Sequence, residues 1–223
     1  MGVKGIMKEK ILGGNDGFIS DDGLPEAPYW LMLAHKQLFG TKVLRVSNST
    51  VPGRVVRVYA HCTRDWRSAP GRRLVPTYPP GAVTMLLINL DNSTSVEVSL
   101  VDPDRGGQAI SLTPRDEYRF SGLMPAPFSA GNDTDCFFAA GYGPFTPNPK
   151  KGDKPLPLRN QPAAMCLNGK LLHLTDGPHG PNTTLPHLVP RSVGPNSGKL
   201  VLPALSYSMV VLPEANVAAC DQQ

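Results

Sequence analysis

The pattern of apolar and polar residues separates one helical segment near the start of the chain from a long strand-like remainder. Apolar residues recur at helical spacing between Pro25, which suits a first helical turn, and Gly40, which suits the position just past a helix end. The pattern predicts a helix over 25–39, with Trp30 and Leu33 on its apolar side.

Most of the remainder alternates with the period of a β-strand. Segments 54–60, 96–100 and 205–211 place apolar residues at every second position, which predicts strands with one buried face. Segment 82–90 is almost continuously apolar and is typical of a central strand buried on both faces. The chain is therefore predicted to be mainly β.

Two short polar segments carry the chemistry of hairpin turns. Asn168 and Gly169 separate two strand-like runs, and this dipeptide favours a two-residue hairpin loop. Asp91-Asn92-Ser93 separates the predicted central strand from the strand over 96–100, and it predicts a second hairpin.

Composition supports a turn-rich β fold. The chain has 24 prolines and 22 glycines among 223 residues, which favours a sandwich or barrel over long helices. The densest proline and glycine content lies at 121–162, which is predicted to be an exposed excursion. No apolar run approaches the ~18 residues of a membrane span, so only a peripheral membrane contact stays open.

The net charge is +4, and arginines cluster between Arg54 and Arg73. Two interpretations stay open for this basic segment. It is either an ordinary solvated loop or a surface that attracts an acidic polymer, such as a uronic-acid polysaccharide, or an anionic surface.

Two sets of residues indicate an exported protein. The N-x-Ser/Thr glycosylation acceptors are Asn48, Asn92, Asn132 and Asn182. The cysteines are Cys62, Cys136, Cys166 and Cys220, and their wide spacing favours two disulfides over a zinc or redox site. The first ten residues lack the apolar core of a signal peptide, so the sequence predicts a fragment or a truncated gene model.

The usual catalytic constellations are absent from the sequence, although it contains 18 acids and five histidines. Asp116 and Glu117 are adjacent in a strand-like segment, so their side chains should point to opposite faces and cannot flank one glycosidic bond. His61 and Cys62 diverge for the same reason. The other histidines lack metal-ligand spacing, and the Gly13–Gly17 run does not fit a dinucleotide fingerprint. We expect no cofactor, no metal and no nucleic-acid partner.

A series of short motifs in the right order resembles the C-terminal portion of glycoside hydrolase family 79, the heparanase-like family. The motifs are Gly13-Gly14-Asn15, Pro28-Tyr29-Trp30, Leu38 to Leu44, Val58 to Cys62, Leu87 to Leu90, Asn168-Gly169, Leu202 to Ser208 and Asn216 to Cys220. They extend from about residue 1 to 220.

The resemblance implies a C-terminal β-sandwich that is preceded by the last strand–helix unit of a TIM (β/α)8 barrel. Residues 1–40 would be the barrel remnant, and 41–223 would be the sandwich, with a Pro/Gly-rich insertion at 121–162. The family cleaves β-glucuronide linkages with retention, using two glutamates on upstream barrel strands. The chain alone is therefore expected to contain no catalytic residue. The implied partners are an acidic polysaccharide and the missing N-terminal barrel, in a secreted or lysosomal/vacuolar setting.

The resemblance also assigns roles to particular residues. Gly14 and Asn15 would lie on the sugar-facing loop after the last barrel strand, and Asp16 stands where the family has a tyrosine. An acid at this position would repel a uronate. The family's disulfide would join Cys62 to Cys220, which leaves Cys136 for Cys166.

The main alternative is a free-standing β-sandwich module that binds acidic polysaccharide at the cell surface or in the extracellular matrix. An extracellular adhesion domain shares that fold but not the order of the motifs. The predicted helix distinguishes the barrel remnant from the free-standing module. Trp30 and Leu33 would be exposed in a barrel remnant, whereas a self-sufficient module would cover them.

Overall fold

The structure is a computed structural model in which the described residues are mainly β. It describes residues 11–12, 17–21, 23–46, 56–67, 71–91, 93–102, 108–110, 114–122, 124–125, 137–138, 165–178, 180–195, 199–204 and 206–221. The chain forms two compact units. The first unit comprises Met1–Leu33 with Gly122–Pro186, and the second comprises Ala34–Ser121 with His187–Gln223.

Helix α1 spans Ala27–Leu38, close to the predicted bounds. It begins where the backbone N–H of Trp30 donates to the Glu26 carbonyl over 3.3 Å. His35 and Lys36 lie in its last turn, where basic side chains favour the negative end of the helix dipole. The boundary between the two units follows Leu33, inside this helix.

Sixteen strands and a short 3-10 helix at Ala218–Cys220 are present in the described residues. In chain order the strands are β1 (Phe39–Leu44), β2 (Val56–Thr63), β3 (Val83–Asn89), β4 (Val96–Val98), β5 (Leu100–Asp102), β6 (Gln108–Ile110), β7 (Arg115–Gly122), β8 (Met124–Pro125), β9 (Phe137–Phe138), β10 (Met165–Leu167), β11 (Lys170–Leu171), β12 (Thr175–Gly177), β13 (Gly180–Thr184), β14 (Arg191–Val193), β15 (Leu200–Leu202) and β16 (Ser206–Leu212).

The second unit contains an antiparallel sheet in the order β1-β2-β3-β16-β7-β14. Strand β3 pairs with β2 on one side and β16 on the other, which confirms the central strand predicted over 82–90. Strand β16 is central as well, whereas one buried face was predicted for it. The reason is that serine is small enough to be buried within a sheet, and Ser208 is 1% exposed.

The hairpin predicted at Asp91 does not form. Asp91 Oδ1 accepts hydrogen bonds from the backbone N–H groups of Ser93 and Thr94 at 2.9 and 2.8 Å, so the turn itself is present. The strand that follows, β4, pairs with β15 instead of β3. The Asn89 amide helps to direct the chain there, because it donates to the carbonyls of Thr94 and Pro203 at 2.9 and 2.8 Å.

The core of the second unit lies between the sheet and the β4–β15 ribbon. It is built from apolar residues of β2, β3, β15 and β16 together with the last cysteine: Val56, Ala60, Cys62, Val83, Met85, Leu87, Leu200, Leu202, Val210, Leu212 and Cys220. The members on β2, β3 and β16 lie at alternating positions opposite one another, so they project from one face of the sheet. Burial of this surface is the main driving force that holds the two layers together.

The first unit contains short pairs of strands. The hairpin predicted at Asn168-Gly169 is confirmed: β10 pairs with β11, and the two turn residues have φ values of 50° and 84°. Strands β12 and β13 form another antiparallel pair, and β8 and β9 pair in parallel. Most of the predicted excursion over 121–162 lies outside the described residues. The barrel remnant over 1–40 stays a prediction.

Candidate functional site

Many of the residues singled out from the sequence lie outside the described part of the chain. They are the sugar-facing loop residues Gly14, Asn15 and Asp16, the glycosylation acceptors Asn48, Asn92 and Asn132, and Cys136. The fourth acceptor, Asn182, lies in β13. Their proposed roles stay predictions.

Asp116 and Glu117 on β7 point to opposite faces of the sheet, as predicted for neighbouring residues of a strand. Glu117 Oε1 accepts from Arg115 Nε at 2.7 Å, and its Oε2 lies 2.8 Å from Arg119 Nη2. The Glu117 side chain is 1% exposed. This carboxylate is held inside the protein by two guanidinium groups, and it is not available to a substrate.

Asp116 faces a different set of partners. Its Oδ2 accepts from the Tyr78 hydroxyl at 2.8 Å, and its Oδ1 accepts from Ser192 Oγ at 2.6 Å. The hydroxyls of Tyr78 and Tyr118 lie 2.7 Å apart, and burial raises the pKa of both tyrosines well above the usual range. This network fastens the segment around Tyr78 to β7. The two acids therefore have separate structural roles.

The part of the basic segment that follows β2 makes internal contacts at its described residues 64–67. The Arg64 guanidinium lies 4.5 Å from the ring centre of Trp66, a cation–π arrangement. Arg67 Nε and Nη2 donate to the two carboxylate oxygens of Asp65 at 2.9 Å, which holds the pKa of Asp65 below its usual range. Arg57 on β2 is exposed, as are Arg72 and Arg73 farther along the chain.

The segment also satisfies the last carbonyl groups of α1, which have no partner within the helix. Arg64 Nη1 donates to the Lys36 carbonyl at 3.0 Å, and its backbone N–H donates to the Leu38 carbonyl at 2.9 Å. Trp66 Nε1 donates to the Gln37 carbonyl at 2.9 Å. The end of the helix and residues 64–66 of the basic segment thus form one connected structure.

Gln37 extends this connection and was not singled out from the sequence. Its Nε2 donates to the Arg72 carbonyl at 3.0 Å, and its Oε1 accepts from the Leu74 N–H at 2.8 Å. The side chain is buried, with 5% exposed. The sequence did carry a signal, since Gln37 is a polar residue three positions after Ala34 on the apolar side of the helix.

The histidines do not form a metal site in the part of the chain that the structure describes, where no cluster of three or more potential ligands occurs. His173 and His187 are exposed, and His179 lies outside the described residues. His61 packs edge-on to Phe39 with ring centres 5.1 Å apart. Its neighbour Cys62 is in a disulfide and has no thiolate to offer.

The Cys62–Cys220 disulfide is present, with the two Cα atoms 5.2 Å apart. It joins β2 to the 3-10 helix near the end of the chain. The backbone N–H of Gly81 donates to the Cys220 carbonyl at 3.3 Å, and the Val217 N–H donates back to the Gly81 carbonyl at 3.1 Å. Gly81 has a φ of 80°, and an added Cβ would lie 3.1 Å from the Asn216 Cα, so this close approach requires glycine. Cys166 on β10 is also disulfide-bonded.

The sequence is similar to curated proteins over almost its whole length. Heparanase of Gallus gallus is 29% identical over 220 residues, which cover 98% of this chain and 32% of the relative. Baicalin-beta-D-glucuronidase of Scutellaria baicalensis is 25% identical over 224 residues, 99% of this chain and 31% of the relative. Inactive heparanase-2 of Homo sapiens is 26% identical over 217 residues, 93% of this chain and 28% of the relative. No protein-family model matches the sequence.

The chain is thus similar to heparanases and to a glucuronidase over nearly its whole length. It corresponds to their C-terminal portion and spans about a third of the length of the relatives it matches. In this heparanase-like chain the structure describes an Arg64 contact with the end of α1, a disulfide near the chain end, and hydrogen bonds or ion pairs to Asp116 and Glu117. None of the described helices is long and apolar enough to cross a membrane.

Proposed function

We propose that the chain forms the C-terminal, β-rich part of a heparanase-like glycosidase that cleaves β-glucuronide linkages in acidic polysaccharides or proteoglycans. The observation that carries this proposal is the similarity over nearly the whole chain to relatives about three times longer, one of them named as a β-D-glucuronidase. In this proposal residues 1–40 are the last unit of the TIM barrel, and the β-sandwich supports that barrel. Gly14, Asn15 and Asp16 then lie at its sugar-facing end.

The chain alone has no hydrolase activity in this proposal, because the two catalytic glutamates belong to the barrel. A retaining glycosidase needs two carboxyl groups about 5 to 5.5 Å apart on either side of the scissile bond. The most tempting acids, Asp116 and Glu117, are committed to hydroxyl and guanidinium partners. One similar protein is named inactive, so sequence similarity to heparanases does not by itself imply catalytic activity.

The direct test is hydrolysis of a fluorogenic β-glucuronide and of heparan sulfate by the purified chain between pH 4.5 and 7.5. We expect no turnover above that of a blank preparation. The matched variant Asp116→Asn should behave identically. Turnover that co-purifies with the chain and disappears in Asp116→Asn would overturn the assignment of catalysis to upstream residues. A reading frame upstream of Met1 that encodes a signal peptide and two strand-end glutamates would support the longer enzyme.

A secreted or lysosomal/vacuolar location accompanies the proposal. Its support is the Cys62–Cys220 bond, since disulfides form and persist in oxidising compartments. The four glycosylation acceptors are consistent with the same route. Treatment of the secreted chain with an endoglycosidase should lower its mass, and an unchanged mass would contradict glycosylation.

A binding module is the second candidate, and the burial of the helix favours it. Trp30 is 1% exposed and Leu33 is half-buried, as expected when a chain covers its own helix. Such a module would bind acidic polysaccharide through exposed arginines, among them Arg72 and Arg73. Arg67 contributes less, because its charge is already paired with Asp65, whereas Arg73 donates to the neutral hydroxyl of Thr77.

Heparin affinity chromatography tests this second candidate. Replacement of Arg72 and Arg73 by alanine should lower the salt concentration at which the chain elutes, because fewer counterions are released on binding. The matched control is Arg191→Ala, which removes an exposed arginine from strand β14. Equal elution of the double variant and the wild type would exclude the basic segment as the binding surface.

A further inference from the structure

Three aromatic rings from three different elements meet at the end of α1. The imidazole of His35 on α1 stacks on the ring of Phe39 on β1, with ring centres 4.3 Å apart and planes within 6°. His61 on β2 packs against the same phenyl ring at 5.1 Å, and its own ring lies 6.3 Å from that of His35. The cluster therefore spans the contact between the last helical turn and the edge of the sheet.

A hydrogen bond to the backbone determines which nitrogen of His61 carries its hydrogen. His61 Nδ1 lies 3.0 Å from the Gly40 carbonyl, and a carbonyl only accepts, so this nitrogen carries a hydrogen. A second proton on His61 must therefore bind Nε2. The His35 imidazole is half-buried against Phe39, and burial, followed by the charge of His61, lowers its pKa.

The described helix and strands that meet at the cluster carry no negative charge that would accommodate two imidazolium ions. The charged side chains on α1, β1 and β2 are Lys36, Lys42 and Arg57, which are all cations, and β3 carries none. Neither Asp nor Glu occurs in these four described elements. Asp65, which follows β2, is paired with Arg67.

We propose that this ring cluster makes the attachment of the end of α1 to the sheet sensitive to acid. Protonation of both imidazoles places two like charges across one phenyl ring in a partly dry site. The contacts that depend on this attachment are those of the helix carbonyls with Arg64 and Trp66, and those of Gln37 with the segment around Leu74. Acid would therefore release the basic segment from the helix end.

The sign follows from proton linkage. Above the ordinary histidine pKa of about 6.5 the ring is neutral in both the attached and the released state, so the full stability of the contact is present. As the pH falls below that value, the released state binds a proton that the attached state resists. The ratio of attached to released molecules then falls, and it stops falling once the pH is below the lowered pKa of His35. The total fall is about tenfold for each pH unit by which attachment lowers that pKa.

Histidine side-chain NMR on the wild-type chain is the first test. His35 should titrate below the ordinary histidine value of about 6.5. A His35 pKa at or above the ordinary histidine value would overturn the proposal. This measurement needs no variant and therefore does not depend on whether a substitution folds.

Amide hydrogen exchange between pH 7.5 and 5 is the second test. The reporters are the N–H groups of Arg64 and Leu74, which donate to Leu38 and to the Gln37 side chain. Their protection factors should fall in acid more than those of β16. His35→Phe keeps an aromatic ring but cannot be protonated, so it should abolish the extra loss, whereas His187→Gln should retain it. An identical acid loss in His35→Phe and wild type would contradict the mechanism.

Discussion

The backbone N–H of Leu74 donates to the side-chain oxygen of Gln37 over 2.8 Å, and the same amide donates back to the Arg72 carbonyl. The Gln37 side chain thereby satisfies two backbone groups of the irregular segment around Leu74, as a neighbouring β-strand would otherwise do. This contact determines where the exposed Arg72 and Arg73 lie relative to the end of α1.

Substitution of Gln37 by alanine should destabilise the second unit by about 1–3 kcal/mol, because two backbone groups lose their buried partner. The neighbouring variant Lys36→Ala is the control, since it shortens an exposed side chain and should change stability by less than about 0.5 kcal/mol. Urea denaturation measures both. Equal midpoints for the two variants would show that the Gln37 contacts carry no net stability.

Glu117→Gln should be among the most damaging single substitutions on β7. It leaves Arg115, which is 4% exposed, without the carboxylate that neutralises it, and loss of one partner of a buried ion pair costs about 3–5 kcal/mol. Glu97→Gln removes the comparable but exposed partner of Lys199 and should cost at most about 1 kcal/mol. Denaturation of both variants at pH 7 tests the contrast, and similar losses would contradict it.

The tyrosine pair predicts an order of effects. Tyr78→Phe removes the hydroxyl that binds both Asp116 and Tyr118 and should cost about 1–3 kcal/mol, whereas Tyr118→Phe removes a single neutral contact and should cost about 0.5–1.5 kcal/mol. The double variant should cost less than the sum of the two single ones. Additive losses in a double-mutant cycle would mean that the two hydroxyls act independently.

Loss of the Cys62–Cys220 disulfide should destabilise the chain by about 4–5 kcal/mol on the chain-entropy estimate, because the bond closes a sequence separation of 158 residues. The double variant Cys62→Ala with Cys220→Ala isolates this bond, whereas a reductant would also act on the disulfide that includes Cys166. Thermal unfolding measures the change. A melting temperature within one degree of the wild type would show that the bond is not a main source of stability.

The parts of the fold that could be predicted from sequence are those set by local pattern. The continuous apolar run of β3 indicated a strand buried on both faces. The Asn168-Gly169 dipeptide indicated the hairpin between β10 and β11, because both residues adopt positive φ. Adjacent acids on one strand also had to separate to opposite faces. Periodicity and backbone chemistry determine these features without reference to distant residues.

The features that sequence did not predict depend on distant partners. The Asp91 turn was recognisable, but turn chemistry does not specify whether the next strand pairs with β3 or with the ribbon strand β15. The serines of β16 suggested an exposed face, although Ser208 is buried. Gln37 was missed because its partners, Arg72 and Leu74, lie more than thirty residues away. The role of Asp16 stays a prediction.

Our central proposal is that none of this chain's own carboxylates acts as the nucleophile of a retaining glycosidase. A retaining glycosidase forms a covalent glycosyl–enzyme intermediate, so a mechanism-based glucuronide inhibitor should leave a stable ester on a catalytic carboxylate. Intact-mass spectrometry of the purified chain after such treatment should show no added mass, while a catalytically active heparanase treated in parallel should be labelled. An adduct that maps to an aspartate or glutamate of this chain would contradict the claim.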